Sequence, residues 1–358
     1  MKKTLATICV LITMIMVTSC RTEDKNVEIN SSKNSNDSNQ TSDDYDPFAP
    51  KENDDISGVA ASFDFGVNWK GEELVLDYKP TIEYEFFLNN SADKKCGFAL
   101  LMFVNGIRQP YQFDGSDEDI LHHYDVNSKE KKTATIRFSP VTGKKCDTLS
   151  VYIVTMFEPT FSPVSTTPEY GHNFRISQMS PVTIDITDST GNSDISICTD
   201  YIRTEISSEM RSEYNQIDVD GNISGNSLEN SQLLFGVIKN GAYISPSERI
   251  TASIETLTDA SLFTKNDFID LWVSGGGEEC KYRVSMYVNH KLVEGAFDGY
   301  DYLDVAPSKD VICSKKIELS TLNVQLDEYN HIYFMAVPIE QNTDGARGVD
   351  KSQNVTFV

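Results

Sequence analysis

The chain has 358 residues, with 31 Lys+Arg against 54 Asp+Glu and a formal net charge of −23, a length that suits about two domains. Hydrophobic residues make up 39% and aromatic residues 10%, enough to bury a core, so the chain is not wholly disordered. The acidic excess argues against nucleic acid as the main partner, because phosphate binding rests on Lys and Arg, and against recruitment to anionic lipid by charge.

Lys2 and Lys3 give a short basic start, and Thr4 to Val17 is an uncharged, mostly apolar run. At 14 residues this run is shorter than the roughly 20 that cross a bilayer. The anatomy is that of a secretory signal. The run ends at Val17-Thr18-Ser19-Cys20. These four residues resemble the lipobox of bacterial lipoproteins, with Val17 and Thr18 in place of the commoner Leu and Ala. The resemblance implies that residues 1–19 are a lipoprotein signal peptide and that Cys20 carries lipid. The mature chain then has 339 residues (358 − 19), and losing Lys2 and Lys3 takes the charge from −23 to −25. A diacylglyceryl group supplies two acyl chains, which anchor stably where one is marginal. The implied location is the extracytoplasmic face of the cell membrane, held through lipid on Cys20.

Residues 20–57 read as a disordered tether. The stretch Ser31 to Asn39 holds only Ser, Lys, Asn and Asp, so almost nothing offsets the entropy of ordering it. A coil of this length spans roughly 30–40 Å.

The remainder repeats itself. Cys96 to Asn105 recurs as Cys280 to Asn289, an offset of 184 (280 − 96) that holds to Phe113-Asp114-Gly115 and Phe297-Asp298-Gly299. Ile136 to Ser139 matches Ile317 to Ser320 at 181, and Ile153 to Pro159 matches Ile332 to Pro338 at 179. Phe65-Gly66-Val67 pairs with Phe235-Gly236-Val237 at the openings, and Ser177-Gln178 with Ser352-Gln353 near the ends, before Val182 and Val355. Order-preserving self-similarity of this length points to duplication. The expected domains are 58–188 and 232–358. Residues 189–231 form an interdomain segment, a linker or an extra strand, with a strand signal from Ile195 to Ile206.

Each copy reads as strands. Ile82, Tyr84, Phe86 and Leu88 alternate with Thr81, Glu83 and Glu85, and Tyr282, Val284, Met286 and Val288 alternate with Lys281, Arg283, Ser285 and Tyr287. Period two with one polar face predicts half-buried antiparallel strands. Asn105-Gly106 is a strong two-residue hairpin signal; Asn289-His290 in the second copy is a weaker one. Thr148 to Phe157 and His331 to Val337 suit central strands. The expected architecture is all-β: two tandem homologous Ig-like antiparallel β-sandwich domains after the tether.

Candidate chemistry is sparse. Beyond Cys9 in the signal and Cys20, the chain has Cys96, Cys146, Cys198, Cys280 and Cys313. Five cannot all pair, and Cys146 and Cys313 occupy different places in their copies, so buried free thiols are expected rather than disulfides. His122-His123 reads as a polar loop. Asp218, Asp220 and Asn222 alternate oxygen ligands around Gly221, the one stretch suited to Ca²⁺, although the spacing and closing Glu of an EF-hand are missing; no other cofactor is expected. The acidic loops Asp114, Asp117, Asp119 and Asp298, Asp301, Asp304 read as turns in which Asp bonds its own backbone.

One asymmetry points to an interaction face. The outward residues of the first copy's main strand are Ala99, Leu101 and Phe103, against Arg283, Ser285 and Tyr287 in the second. A strand apolar on both faces must be covered on both, so Ala99, Leu101 and Phe103 are expected to meet the other domain, the interdomain segment or a partner. The sequence-level reading is a non-catalytic, membrane-anchored surface lipoprotein that binds or spaces, its partner an envelope protein or glycan. A carbohydrate-binding lipoprotein is the first alternative, and an envelope enzyme with its site between the domains the second.

Overall fold

The structure is a computed structural model. It describes residues 63–67, 75–77, 79–160, 176–178, 182–187, 195–208, 233–239, 263–275, 277–323, 330–339, 348–352 and 355–357, all within one compact unit, Glu52–Val358. Cys20, Asp218, Asp220 and Asn222, and the tether, lie outside the described residues.

The first copy contributes β1 (Phe63–Val67), β2 (Val75–Asp77), β3 (Ile82–Asn90), β4 (Cys96–Val104), β5 (Ile107–Arg108), β6 (Gln112–Phe113), β7 (Leu121–Val126), β8 (Lys131–Phe138), β9 (Thr148–Phe157), β10 (Ile176–Gln178) and β11 (Val182–Asp185). The second contributes β12 (Ile197–Cys198), β13 (Ile202–Glu205), β14 (Leu233–Lys239), β15 (Phe268–Gly275), β16 (Tyr282–Val288), β17 (Lys291–Leu292), β18 (Tyr302–Val305), β19 (Val311–Glu318), β20 (Asn330–Pro338), β21 (Asp350–Lys351) and β22 (Val355–Phe357). Each copy is a four-stranded sheet facing a seven-stranded sheet: β1-β3-β8-β6 on β2-β11-β9-β4-β5, with β10 and β7 joining the larger sheet, and β13-β19-β15-β14 on β12-β18-β16-β20-β21, with β17 and β22 joining the larger sheet. The molecule is thus all-β, two tandem Ig-like sandwiches. The pairing is antiparallel except at one parallel contact in each large sheet, β2 with β11 and β12 with β18.

Burial follows the pleat. In β4, Phe98, Leu100, Met102 and Val104 point into the first core, and across β16 Tyr282, Val284, Met286 and Val288 point into the second. β3 buries Ile82, Tyr84, Phe86 and Leu88 and leaves Glu83 and Glu85 in water, which is the alternation its sequence predicts.

Strand register tests the duplication residue by residue. Met102 faces Ile153 and Met286 faces Phe334, so Ile153 corresponds to Phe334, an offset of 181 (334 − 153). The offset of 179 expected from sequence is therefore two residues out; the similarity of Ile153 to Ile332 aligns side chains that sit two places apart on the same face. Ser177 is likewise equivalent to Asp350 rather than Ser352, because both flank the same position of the neighbouring strand. The openings align as expected: Gly66 lies opposite Phe87 and Gly236 opposite Trp272. A Cβ on Gly66 would sit 3.0 Å from the Phe87 ring, and one on Gly236 would sit 1.6 Å from Trp272 Nε1. Both copies thus lay an aromatic ring over a glycine of the neighbouring strand, an approach that leaves no room for a side chain at Gly236 and is tight at Gly66.

The 189–231 segment supplies two of the second sandwich's strands, β12 on β18 and β13 on β19. The single strand expected from Ile195 to Ile206 is broken in two, each half pairing with a different sheet.

Candidate functional site: the seam between the sandwiches

The two seven-stranded sheets are apolar on both faces, and their outer faces meet. Ala99, Leu101 and Phe103 of β4 and Tyr152, Val154 and Met156 of β9 form one buried cluster with Tyr287 of β16, Tyr333, Met335 and Val337 of β20, and Val349. Leu101 is 1% exposed and Ala99 and Phe103 are 0% exposed. The strand bearing the expected interaction face is therefore sealed by the second sandwich. The four sheets stack in layers with three apolar clusters between them.

The second copy's half of this seam carries the polar pattern that predicts a half-buried strand, yet it is buried on both faces. Ser285 and Tyr287 are fully buried, with Ser285 Oγ 3.2 Å from Tyr287 Oη. Arg283 is nearly buried; its Nε and Nη2 donate to Asp304 Oδ1 and Oδ2 at 2.7 and 2.8 Å, and its Nη1 donates to the Asn105 carbonyl at 2.9 Å. The fork geometry of Arg suits a bidentate carboxylate. The third bond crosses to the first sandwich, at the Asn105-Gly106 turn. Gly106 (φ +76°) must be glycine twice over, since a Cβ would also lie 2.7 Å from Arg283 Cβ.

Both hairpins turn alike. Asn105 and Gly106 have positive φ, and so do Asn289 (50°) and His290 (65°). The second turn holds despite lacking glycine because Asn289 Oδ1 accepts from the His331 N–H (3.1 Å), as Asn105 Oδ1 accepts from the Ser150 N–H (2.7 Å). The glycine position itself is held by His290 at φ 65°, and His is, with Asn and Asp, one of the non-glycine residues enriched in the left-handed region. His290 then lies in the seam, its Nδ1 3.1 Å from Tyr333 Oη and its ring 4.6 Å from that of His331. His331 stacks on Tyr333, which stacks in turn on Tyr287 at 5.0 Å. Burial pushes His290 down to about 4, helped by Lys351 and His123, and His331 down to about 3, helped by His290 and Lys351. Burial also lowers Lys351 to about 7, with its Nζ 4.5 Å from the Tyr333 ring centre. At neutral pH both histidines are uncharged.

At one edge of the seam is an open cleft of about 450 Å³. Ile107, Arg108, Pro110 and Val141 of the first sandwich form one wall; Tyr300, Asp301 and Tyr302 with Ile195 and Ser196 form the other. The Arg108 backbone N–H donates to Tyr302 Oη at 3.4 Å, and its guanidinium lies 5.9 Å from the Tyr287 ring centre. Arg108 Nε is buried and has no acceptor among the described residues. Tyr300 is one of two large hydrophobic side chains exposed among the described residues, at 37%; the other is Ile202.

The other expected residues fall as follows. The five described cysteines are free, and four are buried, but Cys146 is exposed in a left-handed turn (φ 73°). His122 and His123 are not in a loop but in β7; the His122 ring stacks on Phe113 and meets Tyr111 edge-on, its Nε2 2.7 Å from the Tyr111 carbonyl. In the acidic loops Asp119 Oδ1 accepts locally, from the Ile120 N–H at 2.6 Å, whereas Asp114 Oδ1 reaches beyond its own turn to the Thr135 N–H of β8 at 2.7 Å and Asp301 Oδ1 accepts from the Gly295 N–H at 2.8 Å. Asp298 pairs with Lys315 at 2.5 Å. Sequence reasoning missed Arg283, His290 and His331. The available signal was strand register, which places Arg283 directly opposite Asp304 and so makes them a cross-strand ion pair.

No family model matches the chain, and no curated protein matches it. Solved structures similar in fold include a PapD-like domain of human CEP192, at 11% identity over 36% of this chain and 87% of that one with a TM-score of 0.21. The YadV chaperone is 7% identical over 81% and 99% of the two chains, with a TM-score of 0.20. The Salmonella enterica SafA pilin in complex with the SafB chaperone is 8% identical over 83% and 96%, with a TM-score of 0.22.

Proposed function

We propose that this chain is a lipid-held, non-catalytic surface protein in which two sandwiches, fused into one body, bind or space at the cell envelope. The observation that carries the reading is the seam. Ala99, Leu101 and Phe103 of one copy and Tyr287, Tyr333 and Met335 of the other are sealed together at or below 1% exposure, so the copies move as a unit rather than as beads on a string. A rigid body at the end of a tether is suited to presenting a surface away from the membrane. Attachment rests on Cys20, and the partner is an envelope protein or glycan. Expression with Cys20→Ala should move the protein from the membrane fraction to the soluble fraction. Full membrane retention of that variant would overturn the anchoring.

A further inference from the structure

We propose that the cleft at the edge of the seam is a binding site for a neutral hexose-type sugar. The idea deepens the binding role proposed above and does not depend on the lipid anchor.

The first observation is size and position. The cleft measures about 450 Å³, within the few-hundred-Å³ range of small-ligand sites, which gather at interfaces between domains. Its two walls come from different sandwiches, so it exists only because the seam holds them together.

The second is the chemistry of the lining. A sugar ring presents a flat C–H face and a rim of hydroxyls that both donate and accept. Tyr300 offers the exposed aromatic face, and its backbone is fixed by paired bonds with Phe297: Tyr300 N–H to the Phe297 carbonyl at 3.1 Å, and Phe297 N–H to the Tyr300 carbonyl at 3.0 Å. A rigid amphipathic ring of this kind suits stacking on an apolar face. Ile107 and Pro110 line the opposite wall. Arg108 supplies donors only, Asp301 acceptors only, and Ser196 both, so hydroxyls find partners of either sense.

The third is charge. The chain carries −23, which repels an anionic ligand. Within the cleft Arg108 and Asp301 offset each other, so the lining selects no net charge of either sign. A neutral polar ligand with an apolar face satisfies both constraints.

The experiment is saturation-transfer NMR on the mature chain, residues 20–358. Glucose, galactose, mannose, N-acetylglucosamine and cellobiose are each added at millimolar concentration, to the parent and to Tyr300→Ala and Asp301→Asn. Tyr300 is partly exposed and Asn keeps the oxygen that accepts from Gly295, so at least one variant retains the fold, checked by its thermal midpoint. The expected result is saturation transfer to at least one sugar, weakened about tenfold in the variants. No transfer to any of the five, or transfer unchanged in a folded variant, would overturn the site. Membrane release by Cys20→Ala is read separately and stands whatever the sugars do.

Discussion

Single residues fix the close approaches in this molecule. At Gly236 there is no room for even a methyl group beside Trp272, and the ring is 1% exposed, so it has little freedom to move aside. Gly236→Ala should cost about 1–3 kcal/mol, measured by urea denaturation; a stability within 0.5 kcal/mol of the parent would contradict the packing described. Asp304 is the second such position. Asp304→Ala leaves the Arg283 guanidinium nearly buried with one of its two partners gone, a loss of about 2 kcal/mol, whereas Asp304→Glu should recover part of it. The histidines set a pH dependence. In the unfolded chain they titrate near 6.5; in the seam His290 titrates at about 4 and His331 at about 3. The folded form resists protonation, so the stability present above pH 6.5 is lost as pH falls toward the folded values. His331 alone accounts for a loss on the order of 3 kcal/mol by pH 4. The groups facing this pair are Lys351, Tyr333 and His123, with the Pro159 carbonyl accepting from His290. Denaturation midpoints taken from pH 7 to pH 4 should fall more steeply in the parent than in His331→Phe; parallel slopes would contradict the assignment.

At the scale of elements, the strands divide into those whose pattern stands alone and those whose pattern needs a partner to be read. β3 and β8 alternate because one face meets water, and β9 runs from Thr148 to Phe157 as its unbroken apolar run predicts. β4 announces burial on both faces, since Ala99, Leu101 and Phe103 can only lie dry. β16 does not, because Arg283, Ser285 and Tyr287 have the composition of a wet face. They are dry because their polar groups are satisfied by Asp304, by Tyr287 itself and by the backbone of the other sandwich, bonds that no local pattern contains. The register of β20 differs from the sequence expectation for a related reason: a two-residue slip keeps every side chain on its own face, so hydrophobic pattern cannot detect it and only cross-strand pairing does. β12 and β13 are too short and too dependent on long-range edges for sequence to separate them. The lining of the cleft is hidden from sequence for the same reason, because Arg108 of β5 and Tyr300 of the turn before β18 come together from far apart in the chain. A test at this scale is Leu101→Asp in β4. An unpaired carboxylate in the apolar seam should destabilise by at least about 3 kcal/mol, read by chemical denaturation; the same substitution at exposed Glu83 should change stability by less than 0.5 kcal/mol.

At the scale of the whole molecule, the duplication has produced one body rather than two. Equivalent sheets face each other, each lending the other the cover that a single sandwich lacks. A sandwich separated from its partner would expose Leu101, Phe103 and Met156 or Tyr333, Met335 and Val337 as a contiguous apolar patch, an association liability. The mutual burial also places the cleft, since neither wall is complete without the other copy. The central claim is that the two sandwiches are energetically coupled through this seam. Calorimetric unfolding of residues 20–358 tests it most directly. The seam predicts a single transition in which the calorimetric and van't Hoff enthalpies agree, shifted as a whole to lower temperature by Leu101→Asp. Two separate transitions, with only one of them moved by that substitution, would contradict it.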